Sequence, residues 1–141
     1  MDDAQDTLGP TARIARDLIR FDTTNWGGGR SNGEREAAEY LEAALSGLGL
    51  STTVHESAER RTSVFTRVSG ADPTKPALVV HGHTDVVPAD PGNWSVDPFA
   101  GIVRDGMLWG RGAVDMKDMD AMMLQSLTDI ITSGRQPARD L

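Results

Sequence analysis

The sequence contains no cysteine among its 141 residues, and only 5% of them are aromatic. Without cysteine, neither a disulfide framework nor a thiolate metal site can form. Any bound metal must therefore be held by histidine and carboxylate side chains, which suit zinc, manganese or cobalt. The chain has three histidines, so each can be weighed individually as a ligand.

The sequence also lacks any apolar run close to the ~20 residues that a membrane-spanning helix needs. Its N-terminal stretch, MDDAQDTLGP, is acidic and has no apolar segment of the kind found in signal peptides. We therefore predict a cytoplasmic location. Lysine and arginine number 14 and aspartate and glutamate 21, which leaves a net charge of −7. That balance argues against nucleic acids and anionic membranes as partners, because both bind basic patches.

Helical and strand patterns interleave along the chain, which favours an α/β fold. Apolar spacing predicts a helix over 10–21 and another from Met116 to Thr132, and alternation or β-branching predicts strands over 50–55 and 62–68. Ser31 and Glu34 form a capping-box pattern that predicts the start of a further helix. The segment 77–82 is uniformly apolar, as in a central strand covered on both faces.

Two further local patterns lie after residue 100, and each predicts a specific element. Asp105-Gly106 lies between two short apolar segments and predicts a β-hairpin. In the helix from Met116, one set of apolar residues recurs at helical spacing and is predicted to form its buried face: Met116, Met119, Met123, Leu127 and Ile130. Its acidic residues are predicted to lie on the surface: Asp118, Asp120 and Asp129.

The stretch HGHTDVVP, residues 81–88, places two histidines and a carboxylate at the end of the apolar segment. In a strand, alternate residues share a face, so His81, His83 and Asp85 would lie together. A metal-bound histidine needs its second ring nitrogen fixed, and a nearby carboxylate does this. The stretch therefore fits a metal site in which His83 is the ligand and the Asp85 carboxylate fixes the second nitrogen of its ring. The alternative is that these polar groups only satisfy the backbone where a strand ends.

The stretch GMLWGRGAVDMKD, residues 106–118, places Asp115 after a glycine-rich turn and just before a helix. Asp115 alone could simply cap that helix. A carboxylate with both oxygens free can instead bridge two cations, and two-metal hydrolytic sites hold their ions about 3.5–4 Å apart.

Together, GHTDVVP, NW, DPF, the Asp-Gly hairpin and WGRGAVDMKD resemble the zinc metallopeptidase family of acetylornithine deacetylase, succinyl-diaminopimelate desuccinylase, carboxypeptidase G, aminoacylase and carnosinase-like dipeptidases. The resemblance implies that His83 binds one metal and Asp115 bridges both. It implies Asp85 as the catalytic residue that orients and polarises His83, and a cis peptide bond between Asp115 and Met116. His81 is expected to be a core or strand-end residue, and His55 a surface or strand residue.

The resemblance further implies a dinuclear Zn²⁺ hydrolase, with cobalt or manganese as substitutes. It would cleave an amide in a dipeptide, an N-acyl amino acid or a C-terminal residue, and the DMKD variant favours dipeptides. Full-length members are often homodimers.

The family's Glu-Glu pair, which supplies the general base and a further ligand, finds no counterpart, since no glutamate or histidine follows Asp115. We therefore expect residues 1–141 to be the N-terminal portion of the catalytic domain, with an incomplete mixed sheet flanked by helices. The isolated chain is expected to bind metal weakly, without turnover, and to be prone to association through an uncovered sheet edge. The alternative is a catalytically inactive remnant that acts as a folding or interaction module.

Overall fold

The computed structural model describes residues 8–141 of the chain, and these form helices joined by small antiparallel sheets. The three helices are α1 (Pro10–Ile19), α2 (Arg35–Gly47) and α3 (Lys117–Thr132). The six strands are β1 (Asn25–Gly27), β2 (Arg30–Ser31), β3 (Thr52–Ala58), β4 (Arg61–Thr66), β5 (Ile102–Arg104) and β6 (Met107–Trp109). The predicted α/β class is confirmed. None of the helices in this described part is long and apolar enough to cross a membrane.

The strands form three two-stranded antiparallel sheets, in which β1 pairs with β2, β3 with β4 and β5 with β6. In the β5–β6 hairpin the two turn residues, Asp105 and Gly106, have φ values of 55° and 73°. Positive φ at both central positions is the requirement of a type I′ turn, which matches the twist of the flanking strands. The hairpin predicted from Asp105-Gly106 is therefore confirmed.

The segment 77–82 differs from its prediction, because no strand pairs with it within residues 8–141. Leu78 donates its backbone N–H to the carbonyl of Asp140, 2.8 Å away, and the nearest bridge is a parallel one between Thr24 and Val86. Val79 remains 79% exposed and Val80 58%. The prediction of a covered central strand is wrong for this chain, because apolar composition cannot supply the neighbouring strands that would cover it.

The helix predicted after Ser31 and Glu34 is present as α2, but the side-chain contacts of a capping box are not formed. Glu34 is itself the N-cap of α2, and neither Ser31 nor Glu34 caps that helix through its side chain. The Ser31 hydroxyl instead donates to the Thr24 carbonyl and accepts from the Gly33 N–H. The Glu34 carboxylate accepts from Arg61, 2.9 Å away. A charged partner from a distant strand therefore replaces the local cap.

Helix α3 packs against α1 with a face that the methionine pattern did not indicate. Met119 is 45% exposed, whereas the buried residues of α3 are Lys117, Asp120, Ala121 and Leu124. The Lys117 ammonium donates to the carbonyls of Leu18 and Phe21, at 2.9 and 2.8 Å. These carbonyls lie at the C-terminal end of α1, where a helix lacks internal donors. Burying the lysine there satisfies them and sets the rotation of α3.

Candidate metal centre

The structure brings His83 and Asp115 together from segments 32 residues apart. His83 follows the extended segment 77–82, and Asp115 ends the glycine-rich turn before α3. The His83 Nε2 atom lies 3.2 Å from Asp115 Oδ1. The two side chains singled out as metal ligands therefore face each other, and the Asp115 carboxylate is 85% exposed.

Gly112 explains how the two segments approach so closely. It has a φ of 86°, and a Cβ at this position would lie 2.9 Å from Val86 Cγ1 and 3.0 Å from Lys117 Cδ. Only glycine combines the left-handed backbone with that absence of volume. The turn can therefore lie against Val86, immediately after Asp85, and place Asp115 beside His83.

Gly82 plays a similar part on the other side of His83. A Cβ there would lie 2.0 Å from Asp120 Oδ1 and 2.8 Å from Met123 Cε. The backbone before His83 is thus in direct contact with helix α3, whose first turn follows Asp115. Helix α3 therefore positions both His83, through the contact with Gly82, and Asp115, which lies just before the helix.

Asp85 lies behind the His83 ring, as the metal-site interpretation predicts. His83 Nδ1 is 3.0 Å from the backbone carbonyl oxygen of Asp85 and 3.2 Å from its Oδ1. Carboxylate acceptors thus lie beside both ring nitrogens, since Asp115 Oδ1 is 3.2 Å from Nε2. With a metal ion at Nε2, the Asp85 acceptors would hold the ring proton on Nδ1, as in other metal-bound histidines.

The charges around His83 raise its pKa. Partial burial lowers the pKa, but the Asp85 carbonyl, the Asp85 carboxylate and the Asp115 carboxylate together raise it above the ordinary value of 6.5. A cation at this position is therefore favoured electrostatically. A proton and a metal ion are both cations that this group of acceptors stabilises.

The spacing of the two donors fits a metal ion. Zinc bonds of about 2.0–2.2 Å to nitrogen and oxygen in tetrahedral geometry separate two ligand atoms by about 3.4 Å. His83 Nε2 and Asp115 Oδ1 are 3.2 Å apart. Within residues 8–141, however, no group of three or more histidine, aspartate or glutamate side chains converges to hold an ion. The described residues thus supply two donors, fewer than the three protein ligands usual for catalytic zinc.

The other predicted residues lie outside this pair. His81 is exposed rather than in the core, and it makes no side-chain hydrogen bond among the described residues. His55 is exposed on β3, as expected. The peptide bond between Asp115 and Met116 is cis, which confirms the expectation from the family resemblance.

Asp120 was predicted to be a surface residue, and that prediction is wrong. It is only 7% exposed, and burial raises its pKa to about 6 against the lowering effect of His83 and Lys117. Lys117 was given no role, yet it is fully buried. Lys117, Asp120, Ala121 and Leu124 follow the i, i+3, i+4, i+7 spacing of a buried face. The spacing is in the sequence, but because two of the four residues are charged it does not by itself predict a buried face.

The chain is similar to several hydrolases of known families. Residues 79–141, which contain His83, Asp85 and Asp115, match the family model described as Peptidase family M20/M25/M40. A succinyl-diaminopimelate desuccinylase of Gluconacetobacter diazotrophicus is 39% identical over 129 residues, which cover 89% of this chain and 31% of that protein. A human N-fatty-acyl-amino acid synthase/hydrolase is 38% identical over 85 residues, covering 60% of this chain and 17% of that protein. The chain thus spans about a third or less of the length of these relatives.

Two solved structures share the fold. An M20 family metallo-carboxypeptidase from Sulfolobus solfataricus superposes with a TM-score of 0.75 at 19% identity, over 90% of this chain and 28% of that one. Human carnosine dipeptidase 1 superposes with a TM-score of 0.67 at 21% identity, over 89% of this chain and 29% of that one. The chain is therefore similar, in sequence over residues 79–141 and in fold, to part of a Peptidase M20 family domain.

Proposed function

We propose that this chain carries one wall of a two-metal hydrolytic site that cleaves an amide bond. The observation that carries the proposal is the 3.2 Å approach of His83 Nε2 to Asp115 Oδ1, with Asp85 against the opposite ring nitrogen. A ring nitrogen and a carboxylate oxygen are the donors that zinc takes in a chain without cysteine. The spacing of the two donors and the acceptors beside Nδ1 both suit a metal ion between them.

The roles follow from these contacts. His83 would hold one ion through Nε2, and the exposed carboxylate of Asp115 would be the donor shared by the two ions. Asp85 does not touch the metal but holds the imidazole in the ligating orientation. When bound, zinc supplies Lewis-acid polarisation of the amide carbonyl and acidifies a water for attack. Cobalt and manganese are chemically acceptable substitutes.

The substrate class is proposed from what the relatives' names share. One is a desuccinylase, one acts on N-fatty-acyl amino acids and one is a dipeptidase. All three names denote an amide attached to an amino acid. We accordingly propose a dipeptide, an N-acyl amino acid or a C-terminal residue as the substrate. We also propose that residues 1–141 form the N-terminal portion of the catalytic domain of a cytoplasmic protein.

A non-catalytic role is the competing proposal, and one observation favours it. Residues 8–141 bring together two donors, and no third acidic or histidine side chain joins them. Two donors hold zinc weakly and leave no group to accept the proton from an attacking water. The 141-residue chain by itself would then serve as a folding or interaction module.

Zinc titration of the 141-residue chain by calorimetry tests the metal site. We expect weak binding that His83→Ala and Asp115→Asn abolish, because each removes one of the two donors. His81→Ala is the matched control and should leave binding unchanged, since His81 is exposed and outside the pair. Binding that survives His83→Ala but is lost in His81→Ala would overturn the assignment.

A hydrolysis assay on the same preparation tests the non-catalytic proposal. Dipeptides, N-succinyl amino acids and N-fatty-acyl amino acids, each with added Zn²⁺, cover the proposed substrate range. No turnover by the 141-residue chain is expected, because the described residues include no base beside the metal pair. Turnover that depends on Zn²⁺ and on His83 would exclude the non-catalytic module.

A further inference from the structure

The Asp85 carboxylate is held on both sides. Its Oδ1 faces His83 Nδ1 at 3.2 Å. Its Oδ2 accepts a hydrogen bond from the side-chain amide of Asn25 at 2.8 Å and lies 3.7 Å from Arg61 Nη2. The oxygen turned away from the histidine therefore has a neutral donor and a cation beside it, and these fix the plane of the carboxylate.

Arg61 is itself anchored by a buried carboxylate. Its Nε donates to Glu34 Oε2 at 2.9 Å, and the Glu34 side chain is only 8% exposed. Glu34 is held in turn through its backbone, since its N–H donates to the Arg60 carbonyl at 2.7 Å. A buried carboxylate needs a paired cation, so Glu34 restrains the guanidinium strongly.

The geometry of the guanidinium suits this double contact. Arginine presents its donors in a rigid planar fork, so Nε can bind one carboxylate while Nη2 faces another. The result is a continuous chain of contacts from Glu34 through Arg61, Asp85 and His83 to Asp115. Its members come from the start of α2, the start of β4 and the candidate metal centre.

We propose that Arg61 is a positioning residue for His83. Anchored by Glu34 and aided by Asn25, it holds the Asp85 carboxylate against His83 Nδ1, which keeps Nε2 directed toward Asp115. This orientation of the ring follows from contacts within the chain alone. Only the use of Nε2 for a metal rests on the proposed function.

Nitrogen-15 NMR of the His83 ring in the metal-free chain tests the inference directly. The spectrum is recorded at a pH where the imidazole is neutral, since the shifts of the two ring nitrogens then report which one carries the proton. Asp115→Ala is the background for these spectra, because it removes the carboxylate that competes for the ring proton at Nε2. In that background we expect the Nδ1–H form to dominate and Arg61→Met to give a mixture of tautomers. Arg61→Lys, which keeps the charge but not the fork, should restore the Nδ1–H form in part.

Arg35→Met is the matched control, because Arg35 pairs with Glu56 and does not contact Asp85. It should leave the ring shifts unchanged. Glu34→Gln is the second variant, and it keeps a polar partner for Arg61. It tests the positioning role of Arg61 if Arg61→Met does not fold. It should shift the tautomer in the same direction by a smaller amount. Unchanged His83 shifts in the folded variants would overturn the proposal.

Zn²⁺ titration measures how the loss of Arg61 changes the affinity for the metal. Loss of groups that orient a metal-bound histidine weakens metal affinity by about 10–100-fold, so Arg61→Met should raise the Zn²⁺ Kd within that range. Failure of the proposed function and failure of the positioning role give different results. If the unmodified chain binds no Zn²⁺ while Arg61→Met alters the tautomer, the proposed function fails and the positioning role stands. If Zn²⁺ binds at His83 while the tautomer ignores Arg61, the positioning role fails alone.

Discussion

Replacing Gly112 by alanine is expected to destabilise the chain and to separate the two halves of the candidate metal centre. The new Cβ would lie 2.9 Å from Val86 Cγ1 and 3.0 Å from Lys117 Cδ, on a backbone with a φ of 86°. Left-handed strain costs about 1–2 kcal/mol for a residue with a side chain. Forcing a methyl group into packed neighbours costs about 1–3 kcal/mol more. The free energy of unfolding should therefore fall by about 2–5 kcal/mol.

Gly106→Ala supplies the control that isolates the packing contribution. Gly106 has a φ of 73° but no atom within 4 Å of the position a Cβ would take. Its alanine variant should lose only about 1–2 kcal/mol of stability, which is the cost of the left-handed backbone for a residue with a side chain. Urea unfolding followed by circular dichroism measures both variants, and Zn²⁺ titration should show weaker binding for Gly112→Ala alone. Equal losses of stability in the two variants would refute the close packing of the turn on Val86.

Three further outcomes follow from the described residues. The pKa of Asp120 is about 6 against 3.8 for an ordinary aspartate, so the folded chain holds a proton that the unfolded chain releases between these values. Unfolding free energy should thus fall by about 3 kcal/mol in total as the pH rises from well below 3.8 to well above 6, and Asp120→Asn should remove that fall in urea titrations across this range. Lys117→Met removes the two hydrogen bonds to the Leu18 and Phe21 carbonyls and should cost about 1–3 kcal/mol in the same assay, whereas the exposed Lys75→Met should change stability by less than about 0.5 kcal/mol. Val79 is 79% exposed, so Val79→Lys should reduce self-association in sedimentation velocity without loss of stability; unchanged association would show that the apolar segment 77–82 is not the contact surface.

Features encoded within a few consecutive residues were predictable. Asp105-Gly106 specifies its hairpin because the turn needs positive φ at both positions. The helix bounds near Pro10 and Thr132 follow from apolar spacing and from the residues that begin and end a helix. The meeting of His83 with Asp115 was predicted from two motifs and a family resemblance, and the structure brings the two side chains together.

Features that depend on distant partners were not predictable. Asp120 and Lys117 look like surface charges on a helix, yet both are buried, because Lys117 finds carbonyl acceptors 96 and 99 residues earlier in the chain. Ser31 and Glu34 have the spacing of a helix cap, but Glu34 pairs with Arg61 instead. The apolar segment 77–82 has the composition of a covered strand, and its exposure depends on which strands lie beside it.

The sequence by itself determined the local elements, the donor types available to a metal and the two motifs that carry them, because dihedral preferences and side-chain chemistry act over a few residues. Tertiary structure alone decided which face of α3 is buried and which cation holds Asp85. Those outcomes depend on desolvation, and a charged side chain is desolvated only when remote segments close around it and supply its hydrogen bonds.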